Sequence, residues 1–392
     1  MNERNVLIAG AGIGGLTAAL SLHAAGIDAE VIESARTIAP LGVGINLQPQ
    51  AVAALTELGL GDRLAAAAVP TAEHVYVDRH GRTLMSEARG AAAGHPAPQY
   101  SVHRGELQSM LLTAVRDRLG ADAVREGTRL ADFTQSDRAV RVTTLDRASG
   151  REHTRSAGVL IGAEGLHSVV RAGLHPGQPG LHWSGMRMWR GMVAAAPFLT
   201  GRTMLLVNGG DTRMVIYPVT EATAPGDTVL VNWVAIAKVS DPGTIPDDAG
   251  VDRAGHARDV LPLLADWSLG SLDVHALIAA TPNILEYPMV DRDPLEQWGH
   301  GRVTLLGDAA HPMYPVGANG GSQAILDARV LAAELAGSDP VEALARYERR
   351  RRPATNSVVL ANREMDRRER AGDALTHITE SYRDTIDDAA SA

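Results

Sequence analysis

A glycine-rich turn between a short apolar strand and a helix constrains this chain more than any other feature of its sequence. Residues 5–9 are mainly apolar and run directly into G-A-G-I-G-G at residues 10–15. Apolar residues then recur at helical spacing up to about Gly26, and a second apolar run, Ala29–Ile32, closes on Glu33. This order of strand, turn, helix, strand and carboxylate is typical of a dinucleotide-binding unit.

Each part of this unit has a physical role in holding a dinucleotide. Gly10 allows the tight turn, Gly12 lets the main chain approach a pyrophosphate, and Gly15 lets helix and strand pack closely. The helix N-terminus supplies unpaired N–H groups and the positive end of the helix dipole, and Glu33 would accept hydrogen bonds from a ribose. NAD, NADP and FAD folds share this pattern, so the choice of dinucleotide stays open at this point. The expected contacts are Gly10, Gly12, Ile13, Gly14, Gly15, Glu33 and Ser34.

Composition excludes several other classes of protein. Lys and Arg total 37 against 46 Asp and Glu, and this net charge of −9 argues against a nucleic-acid partner. The absence of cysteine excludes disulfides and thiolate metal sites, and it fits a reducing compartment, so we expect a cytoplasmic protein. We also expect no metal, because the histidines are scattered without ligand spacing. Residues 6–27 carry no formal charge, but their glycines favour a soluble strand, turn and helix over a membrane span.

Two later stretches also show an apolar strand that ends in glycine and an acid. Residues 159–171 read V-L-I-G-A-E-G-L-H-S-V-V-R, and residues 303–321 read V-T-L-L-G-D-A-A-H-P-M-Y-P-V-G-A-N-G-G. No second complete G-x-G-x-x-G follows an apolar strand, so we expect no second Rossmann domain for a nicotinamide cofactor.

Together, these three motifs resemble those of the single-component flavoprotein aromatic hydroxylases, the group around para-hydroxybenzoate and salicylate hydroxylases. S-V-H-R-G-E-L at residues 101–107 matches that family's arginine-bearing helix start. M-W-R-G-M at residues 188–192 and R-R-P-A-T-N at residues 351–356 are similar to its phenazine-modifying branch. The resemblance implies an α/β fold, in which a glutathione-reductase-like FAD-binding Rossmann domain carries an inserted antiparallel-sheet substrate domain and C-terminal helices.

The expected domains follow from this architecture. The FAD-binding domain is expected in three parts, the substrate domain in two, and helices at the C-terminal end. Short alternating runs at residues 186–193, 203–207, 214–218 and 228–236 predict the antiparallel sheet. The arginine-rich stretch 349–352 is expected to be a solvated face. The boundaries are 1–70, 101–180 and 291–335 for FAD binding, 71–100 and 181–290 for substrate binding, and 336–392 for the C-terminal helices.

The resemblance also assigns further contacts to FAD. Asp308 is expected to hold a ribityl hydroxyl, the alternative being a helix cap. The loop 315–321 is expected beside the isoalloxazine ring, with main-chain N–H groups aimed at its pyrimidine edge; alternatively its glycines only start a helix. Glu164 stands where the family turn G-A-D-G has an aspartate. The expected contacts are Gly42, Val43, Gly44, Arg104, Gly162, Glu164, Gly165, Gly307, Asp308, Pro315, Gly317, Ala318, Asn319, Gly320 and Gly321.

The implied reaction is the hydroxylation of an aromatic or heteroaromatic small molecule, with O2 and with NADPH or NADH as transient electron donor, through a C(4a)-hydroperoxyflavin. Pro315, Gly317 and Tyr217 are expected in the catalytic machinery, and Arg190 as the anchor of an anionic group. Alternatively, the aromatic residues on these strands belong to the hydrophobic core and do not contact a ligand. The expected walls of the substrate chamber are Trp189, Arg190, Met204, Leu206, Tyr217 and Trp233.

Three alternatives come from other classes. A flavin dehydrogenase or reductase without oxygen insertion remains open, because FAD binding does not specify the oxidant. A flavin halogenase would need an early catalytic lysine and a W-x-W-x-I-P motif, and neither is present. A regulatory module of the GDP-dissociation-inhibitor type would lack a working flavin site, and the intact turn at Asp308 argues against it.

Overall fold

The computed structural model describes residues 5–40, 42–245, 253–270, 272–371, 383, 385–386 and 388–391. Within these residues the chain forms a mixed α/β fold. The strands, in chain order, are β1 (Val6–Ala9), β2 (Ala29–Ile32), β3 (Gly44–Leu47), β4 (Ala68–Thr71), β5 (Glu73–Asp78), β6 (Thr83–Ala88), β7 (Gln99–His103), β8 (Val124–Arg125), β9 (Thr128–Gln135), β10 (Val140–Asp146), β11 (Glu152–Ala157), β12 (Val159–Gly162), β13 (His182–Ala195), β14 (Thr203–Asn208), β15 (Thr212–Pro218), β16 (Val229–Lys238), β17 (Gly243–Thr244), β18 (Arg253–Gly255), β19 (Ile284–Asp291) and β20 (Val303–Leu305).

Helices cover the strands and connect them. The α-helices are α1 (Ile13–Ala24), α2 (Pro49–Glu57), α3 (Gly61–Ala67), α4 (Arg104–Leu119), α5 (Val169–Leu174), α6 (Ala257–Val260), α7 (Val274–Ala279), α8 (Gly320–Leu335) and α9 (Pro340–Ala371). None of the helices in the described ranges combines the length and apolar composition that a bilayer span requires.

A parallel sheet carries the three glycine-acid motifs. Its strand order is β20-β12-β1-β2-β8, and all four residues of β1 and of β12 are buried, as expected for parallel strands covered on both faces. β1 lies between β12 and β2, with Val6 opposite Val159 and Ala29. The motifs at the ends of β1, β12 and β20 therefore meet at one edge of the sheet, which is where ligands bind in such folds.

A large, mainly antiparallel sheet is formed by the chain's middle region. Its order is β18-β19-β13-β16-β15-β14-β5-β6, and β17 pairs with β13. The four predicted runs correspond to β13, β14, β15 and β16, which are longer than predicted. The exception to the antiparallel pattern is β5, which pairs in parallel with β14. Residues 73–88 thus extend this sheet at its edge. Two three-stranded sheets, β3-β7-β4 and β11-β10-β9, complete the fold.

The arginine-rich stretch of α9 is not a uniformly solvated face. Arg349 and Arg350 are exposed, whereas Arg351 is fully buried. The helical period places Arg351 on the same face as the buried Tyr347, which packs toward the parallel sheet and donates a hydrogen bond to the carbonyl of Leu305. The prediction that residues 349–352 form a solvated face was therefore wrong at Arg351. One face of α9 packs inward, and the buried carboxylate of Asp327 on α8 pairs with Arg351 there.

Candidate active site

The glycines after β1 divide into those that the fold needs and one that it does not. Gly10 has a φ of +108°, and a Cβ there would lie 2.3 Å from the carbonyl oxygen of Ala163. A Cβ on Gly15 would lie 1.9 Å from the carbonyl oxygen of Gly10. A Cβ on Gly12, in contrast, would meet no described atom within 4 Å. The open space at Gly12 adjoins the N-terminus of α1, which no described side chain caps, so it offers both room and N–H donors to an anionic group.

The carboxylate of Glu33 is held by this turn. Its Oε2 accepts a hydrogen bond from the main-chain N–H of Ala11 at 2.8 Å, and its Oε1 accepts from the N–H of Ala35 at 2.7 Å and from the hydroxyl of Ser34 at 3.0 Å. On the other side, Gln108 of α4 donates from Nε2 to the carbonyl of Ala11 at 2.8 Å. Gln108 was not predicted to support this turn, although it immediately follows the S-V-H-R-G-E-L motif.

The second motif places Glu164 at the start of a helix. Its carboxylate accepts hydrogen bonds from the hydroxyl of Ser168 at 2.6 Å and from the N–H groups of Val169 and Val170 at 3.1 and 3.2 Å. Burial raises the pKa of this carboxyl, although these hydrogen bonds favour its charged form. The extra methylene of glutamate allows this reach into α5. The carboxylate is therefore engaged by α5, while Gly162 and Gly165 shape the turn itself.

Asp308 follows Gly307 directly after β20. Its carboxylate lies in a cleft beside Gly320, where a Cβ would be 3.6 Å from Oδ1, and it accepts no hydrogen bond from the described residues. The side chain is open to the cleft, but the surrounding walls desolvate it and raise the pKa of Asp308, although the nearby charges of His311 and Arg104 lower it. Arg104 itself is exposed and lies against Gly42. A carboxylate that lacks a donor in a cleft fits the ribityl hydroxyls of FAD.

A buried ionic cluster supports the Asp308 turn from behind. Asp327 of α8 accepts hydrogen bonds on Oδ2 from the N–H of Gly307 at 3.1 Å and from Nε2 of His311 at 2.6 Å. Its Oδ1 accepts from Nε of Arg351 at 2.8 Å. Burial raises the pKa of Asp327, but the charges of His311 and Arg351 outweigh it and hold that pKa below its usual value. No role was predicted for Asp327, because it lies in the middle of a helix and belongs to none of the motifs.

The loop after this turn lies along a cavity. Gly317 and Ala318 both adopt positive φ angles, +66° and +56°. Gln48 holds the loop, because its Nε2 donates to the carbonyl of Gly317 at 3.2 Å and its own N–H donates to Ser322 Oγ at 3.0 Å. α8 then begins at Gly320 and Gly321, after the buried Asn319, whose side chain makes no capping hydrogen bond to the first turn.

The cavity lies between this loop and one face of the large sheet. Its volume is about 370 Å³, within the usual range of roughly 300–1,000 Å³ for small-molecule sites. Pro315, Gly317 and Ala318 line it on the loop side, and Met188, Arg190, Met204, Leu206 and Tyr217 line it on the sheet side. Its charged lining consists of four guanidinium groups and two carboxylates: Arg89, Arg190, Arg213, Arg383, Glu87 and Glu369.

The expectation that Trp189 and Trp233 line this chamber was wrong. Both indoles lie in the apolar core on the opposite face of the large sheet, where they donate to Glu286 at 3.1 Å and to Thr281 at 2.8 Å. Successive residues of a strand point to opposite faces. Since Arg190 faces the cavity, its neighbour Trp189 faces away. Met188 and Val234 line the cavity instead, and neither was predicted to do so, because the register of the strands was not known.

Three side chains of the large sheet hold Gly44 in place. The hydroxyl of Tyr217 and Nη2 of Arg190 each donate to the carbonyl of Gly44 at 2.8 Å, and the N–H of Gly44 donates to Asn232 Oδ1 at 2.8 Å. Burial raises the pKa of Tyr217 to about 12, so its phenol stays protonated and can donate at neutral pH. These contacts fix the segment that contains Gly42, Val43 and Gly44 against the cavity.

Comparison with known proteins identifies the family. Residues 3–249 and 281–362 match the family described as FAD binding domain. The chain belongs to this family. It is 51% identical over 401 residues to phenazine 1,6-dicarboxylic acid hydroxylase PhzS of Lysobacter antibioticus, covering 98% of each chain. It is 33% identical over 367 residues to 3-hydroxybenzoate 6-hydroxylase 1 of Aquipseudomonas alcaligenes, covering 89% of this chain and 85% of that protein.

Solved structures agree with this membership. The structure of Klebsiella pneumoniae HpxO with FAD and uric acid superimposes with a TM-score of 0.78 at 27% identity, over 98% of this chain and 92% of that one. The protein is an FAD-dependent aromatic monooxygenase, as the resemblance of its three motifs implied, and NAD(P)H is the typical electron donor of its family. Among the described residues, no group of three or more histidines and carboxylates is arranged to hold a metal ion.

Proposed function

We propose that this enzyme hydroxylates a planar tricyclic acid of the phenazine type, and that the cavity beside loop 315–318 is its substrate chamber. The observation that carries the proposal is the charge of the cavity lining. Three of its four guanidinium groups are ion-paired, Arg89 and Arg383 with Glu87 and Arg213 with Glu369 and Asp366, which leaves Arg190 as the lining guanidinium without a carboxylate partner among the described residues. The unpaired positive charge of Arg190 favours an anionic ligand there. The relative from L. antibioticus, named for a phenazine dicarboxylic acid, supports the same substrate class.

FAD is proposed to lie along the edge where the three motifs meet. The open space at Gly12 and the N-terminus of α1 would receive the pyrophosphate, with Ile13 and Gly14 beside it. Glu33 would hold the adenosine ribose, and Asp308 a ribityl hydroxyl. Arg104, next to Asp308, would pair with the phosphates or a ribose. The main chain at Ala163, between Gly162 and Gly165, borders Gly10 and so closes this edge.

The proposed division into domains places these contacts in residues 1–70, 101–180 and 291–335. Residues 71–100 and 181–290 would form the substrate domain, since β5 and β6 pair with the large sheet. Residues 336–392 would form the C-terminal helices, and residues 372–382, 384, 387 and 392 of that part lie outside the described residues.

FAD, once bound and reduced by NADPH or NADH, supplies the activation of O2 for the hydroxylation. The chain positions and shields the reacting groups. Pro315 and Gly317 would contact the flavin ring and separate it from bulk water. The N-terminus of α8, at Gly320 and Gly321, would stabilise negative charge at the nearby edge of the ring.

The large sheet would place the substrate against that ring. Tyr217 and Arg190 fix Gly44 at the boundary between ring and chamber. Arg190 is also the proposed anchor for the acid group, because it lines the cavity and no carboxylate of the described residues pairs with it. Met204 and Leu206 would supply apolar contact to the aromatic rings.

The experiment that tests the proposal is aerobic turnover under labelled oxygen. FAD-loaded protein is supplied with NADPH or NADH and with phenazine-1-carboxylate, phenazine-1,6-dicarboxylate, salicylate or 3-hydroxybenzoate, under ¹⁸O2. We expect the phenazine acids to stimulate NAD(P)H oxidation and to give a product that contains one ¹⁸O atom. Stimulation by the monocyclic acids alone would contradict the proposed substrate class.

Cytoplasmic location stays a prediction from the sequence.

A further inference from the structure

Three polar side chains form a hydrogen-bonded chain in the cavity wall that β5, β6 and β7 build. Nε of Arg89 donates to Oε1 of Gln99 at 3.1 Å, and Nε2 of Gln99 lies 3.2 Å from Nε2 of His74. All three residues line the cavity, and His74 and Gln99 are buried. None of them belongs to a cofactor motif, and none was predicted to contact substrate.

The hydrogen bonds have only one consistent direction. A guanidinium group has donors and no acceptor, so Oε1 of Gln99 must accept from Arg89. The NH2 group of Gln99 therefore faces His74 and must donate, because it has no lone pair to offer. Nε2 of His74 is then the acceptor, and the single ring proton of the neutral imidazole lies on Nδ1.

The protonation state of His74 agrees with this direction. Burial of the imidazole, and then the positive charge of Arg89, hold the pKa of His74 well below its usual value. The ring is therefore neutral at pH 7 and keeps one N–H donor. A second proton on Nε2 would point at the NH2 group of Gln99, so the hydrogen-bonded chain opposes it as well.

The Nδ1–H group of His74 is neither paired nor fully enclosed within the described part of the chain. Nδ1 has no hydrogen-bond partner among the described residues, and it is not one of the fully enclosed unpaired atoms. Since the ring lines the cavity, a ligand there can accept this hydrogen bond. Glu369 and Asp366 neutralise Arg213, but Arg89 and Arg383 share the single carboxylate of Glu87, and Arg190 has no ion-pair partner among the described residues, so the surroundings favour an anionic acceptor.

We propose that His74 is a specificity-determining residue that donates a hydrogen bond from Nδ1–H to an oxygen of the substrate's acid group. The inference rests on the proposed function, because it takes the cavity to be the substrate chamber. The hydrogen bonds from Arg89 to Gln99 and from Gln99 to His74 fix the ring so that it offers the substrate a donor and not an acceptor. It thus selects an aromatic acid over an analogue that lacks the acid, since the analogue leaves a chamber donor unpaired.

Two substitutions of nearly equal size separate this role from a structural one. In His74→Asn the amide NH2 can occupy the place of Nδ1 and keep a donor toward the chamber. In His74→Gln the amide oxygen can reach the place of Nε2 and keep the acceptor for Gln99, but the donor toward the chamber is lost. Binding of phenazine-1-carboxylate and of unsubstituted phenazine to the FAD-loaded protein is measured from the change in the flavin absorbance spectrum, together with the melting temperature.

We expect His74→Gln to weaken phenazine-1-carboxylate binding about tenfold to a hundredfold, the range for a lost hydrogen bond to a charged group. His74→Asn should stay within about threefold of the unmodified enzyme. Phenazine itself should bind all three proteins equally. The opposite order, with His74→Asn the weaker binder of the acid, would show that His74 only supports Gln99 and would overturn the inference. Equal losses for the acid and for phenazine would overturn it too.

Gln99→Met provides an independent, uncharged variant if either His74 protein fails to fold. It removes the amide that donates to Nε2 of His74, so the ring proton is no longer confined to Nδ1. We expect this variant to weaken binding of the acid more than binding of phenazine; equal effects would overturn the inference. If the unmodified enzyme binds neither compound, the proposed function fails and the inference falls with it. Binding of both compounds without any selective loss in the variants overturns the inference alone.

Discussion

The edge of the parallel sheet and the wall of the cavity differ in which parts of the chain supply their candidate contacts. At the sheet edge, most candidate contacts are main-chain groups and glycines in three contiguous motifs, after β1, β12 and β20, joined by a few side chains such as Glu33 and Asp308. In the cavity wall they are side chains from separate segments, such as His74, Gln99, Arg190 and Tyr217. Short sequence motifs can specify a site that consists of main-chain groups. A site that consists of side chains from several strands depends on how those strands pair.

The sharpest test of this contrast uses two glycines of the same turn. In Gly15→Ala the new Cβ would lie 1.9 Å from the Gly10 carbonyl oxygen, so we expect loss of folded protein. In Gly12→Ala the Cβ meets no described atom within 4 Å, so the fold should be kept while FAD binding weakens. Thermal unfolding of the apo protein and FAD content after purification measure both effects. A Gly12→Ala protein that retains FAD fully would break the proposed placement of the pyrophosphate.

The next largest effect is expected behind the Asp308 turn, where a side chain supports main-chain geometry. Asp327→Ala leaves Arg351 buried without its carboxylate and should cost about 3–5 kcal/mol of unfolding free energy. Glu334→Ala is the matched control, because Glu334 also lies on α8 and pairs with Arg346 and Arg350 of α9, but nearer the surface. It should cost no more than about 1 kcal/mol. Urea unfolding of both proteins measures the difference.

The loss of stability in Asp327→Ala should depend on pH. The pKa of Asp327 is lowered in the folded state, so its stabilising contribution is present above the unfolded pKa of about 4 and is lost as the pH falls through the folded pKa. The difference in stability between the unmodified protein and Asp327→Ala should therefore shrink below about pH 4. A difference that stays constant down to about pH 2 would contradict the ionic role of Asp327.

Asp308 tests whether the sheet edge also needs a side chain for FAD. Asp308→Ala should weaken FAD binding about tenfold or more, because it removes a charged acceptor. Desolvation by the cleft walls raises the pKa of Asp308, so the ionised carboxylate destabilises the apo protein at neutral pH. The apo variant should therefore be at least as stable as the unmodified apo protein. FAD titration and apo melting temperature check the two statements separately, and unchanged FAD affinity would remove Asp308 from the site.

The smallest effects are expected from the two faces of the large sheet. Trp233→Phe removes the bond to Thr281 and some core volume, and should cost about 1–3 kcal/mol of stability with unchanged binding of phenazine-1-carboxylate. Leu206→Ala should instead weaken that binding severalfold with a smaller loss of stability, because Leu206 lines the cavity. The reversed pattern would mean that the substrate lies on the other face.

Much of the fold was predictable because its periodicity is local. The strand Ala29–Ile32 was predicted with the observed bounds, and the four runs of the large sheet were predicted within a few residues. Trp189 and Trp233 were misplaced because a strand without a known register does not show which face is the core. Arg351 was misplaced because its partner, Asp327, is distant in sequence and adjacent only across the packed helices α8 and α9.

The sequence by itself determined the FAD-binding motifs and the family, since glycines, strand ends and helix starts impose their conformations over a few neighbouring residues. Only the tertiary structure decided which side chains face the cavity, how Asp327 supports the Asp308 turn, and that Arg89 and Gln99 orient His74. These arrangements join β5 to β7, β13 to the segment at Gly44, and α8 to α9. Contacts of that kind depend on strand pairing and helix packing, which no short stretch of sequence specifies.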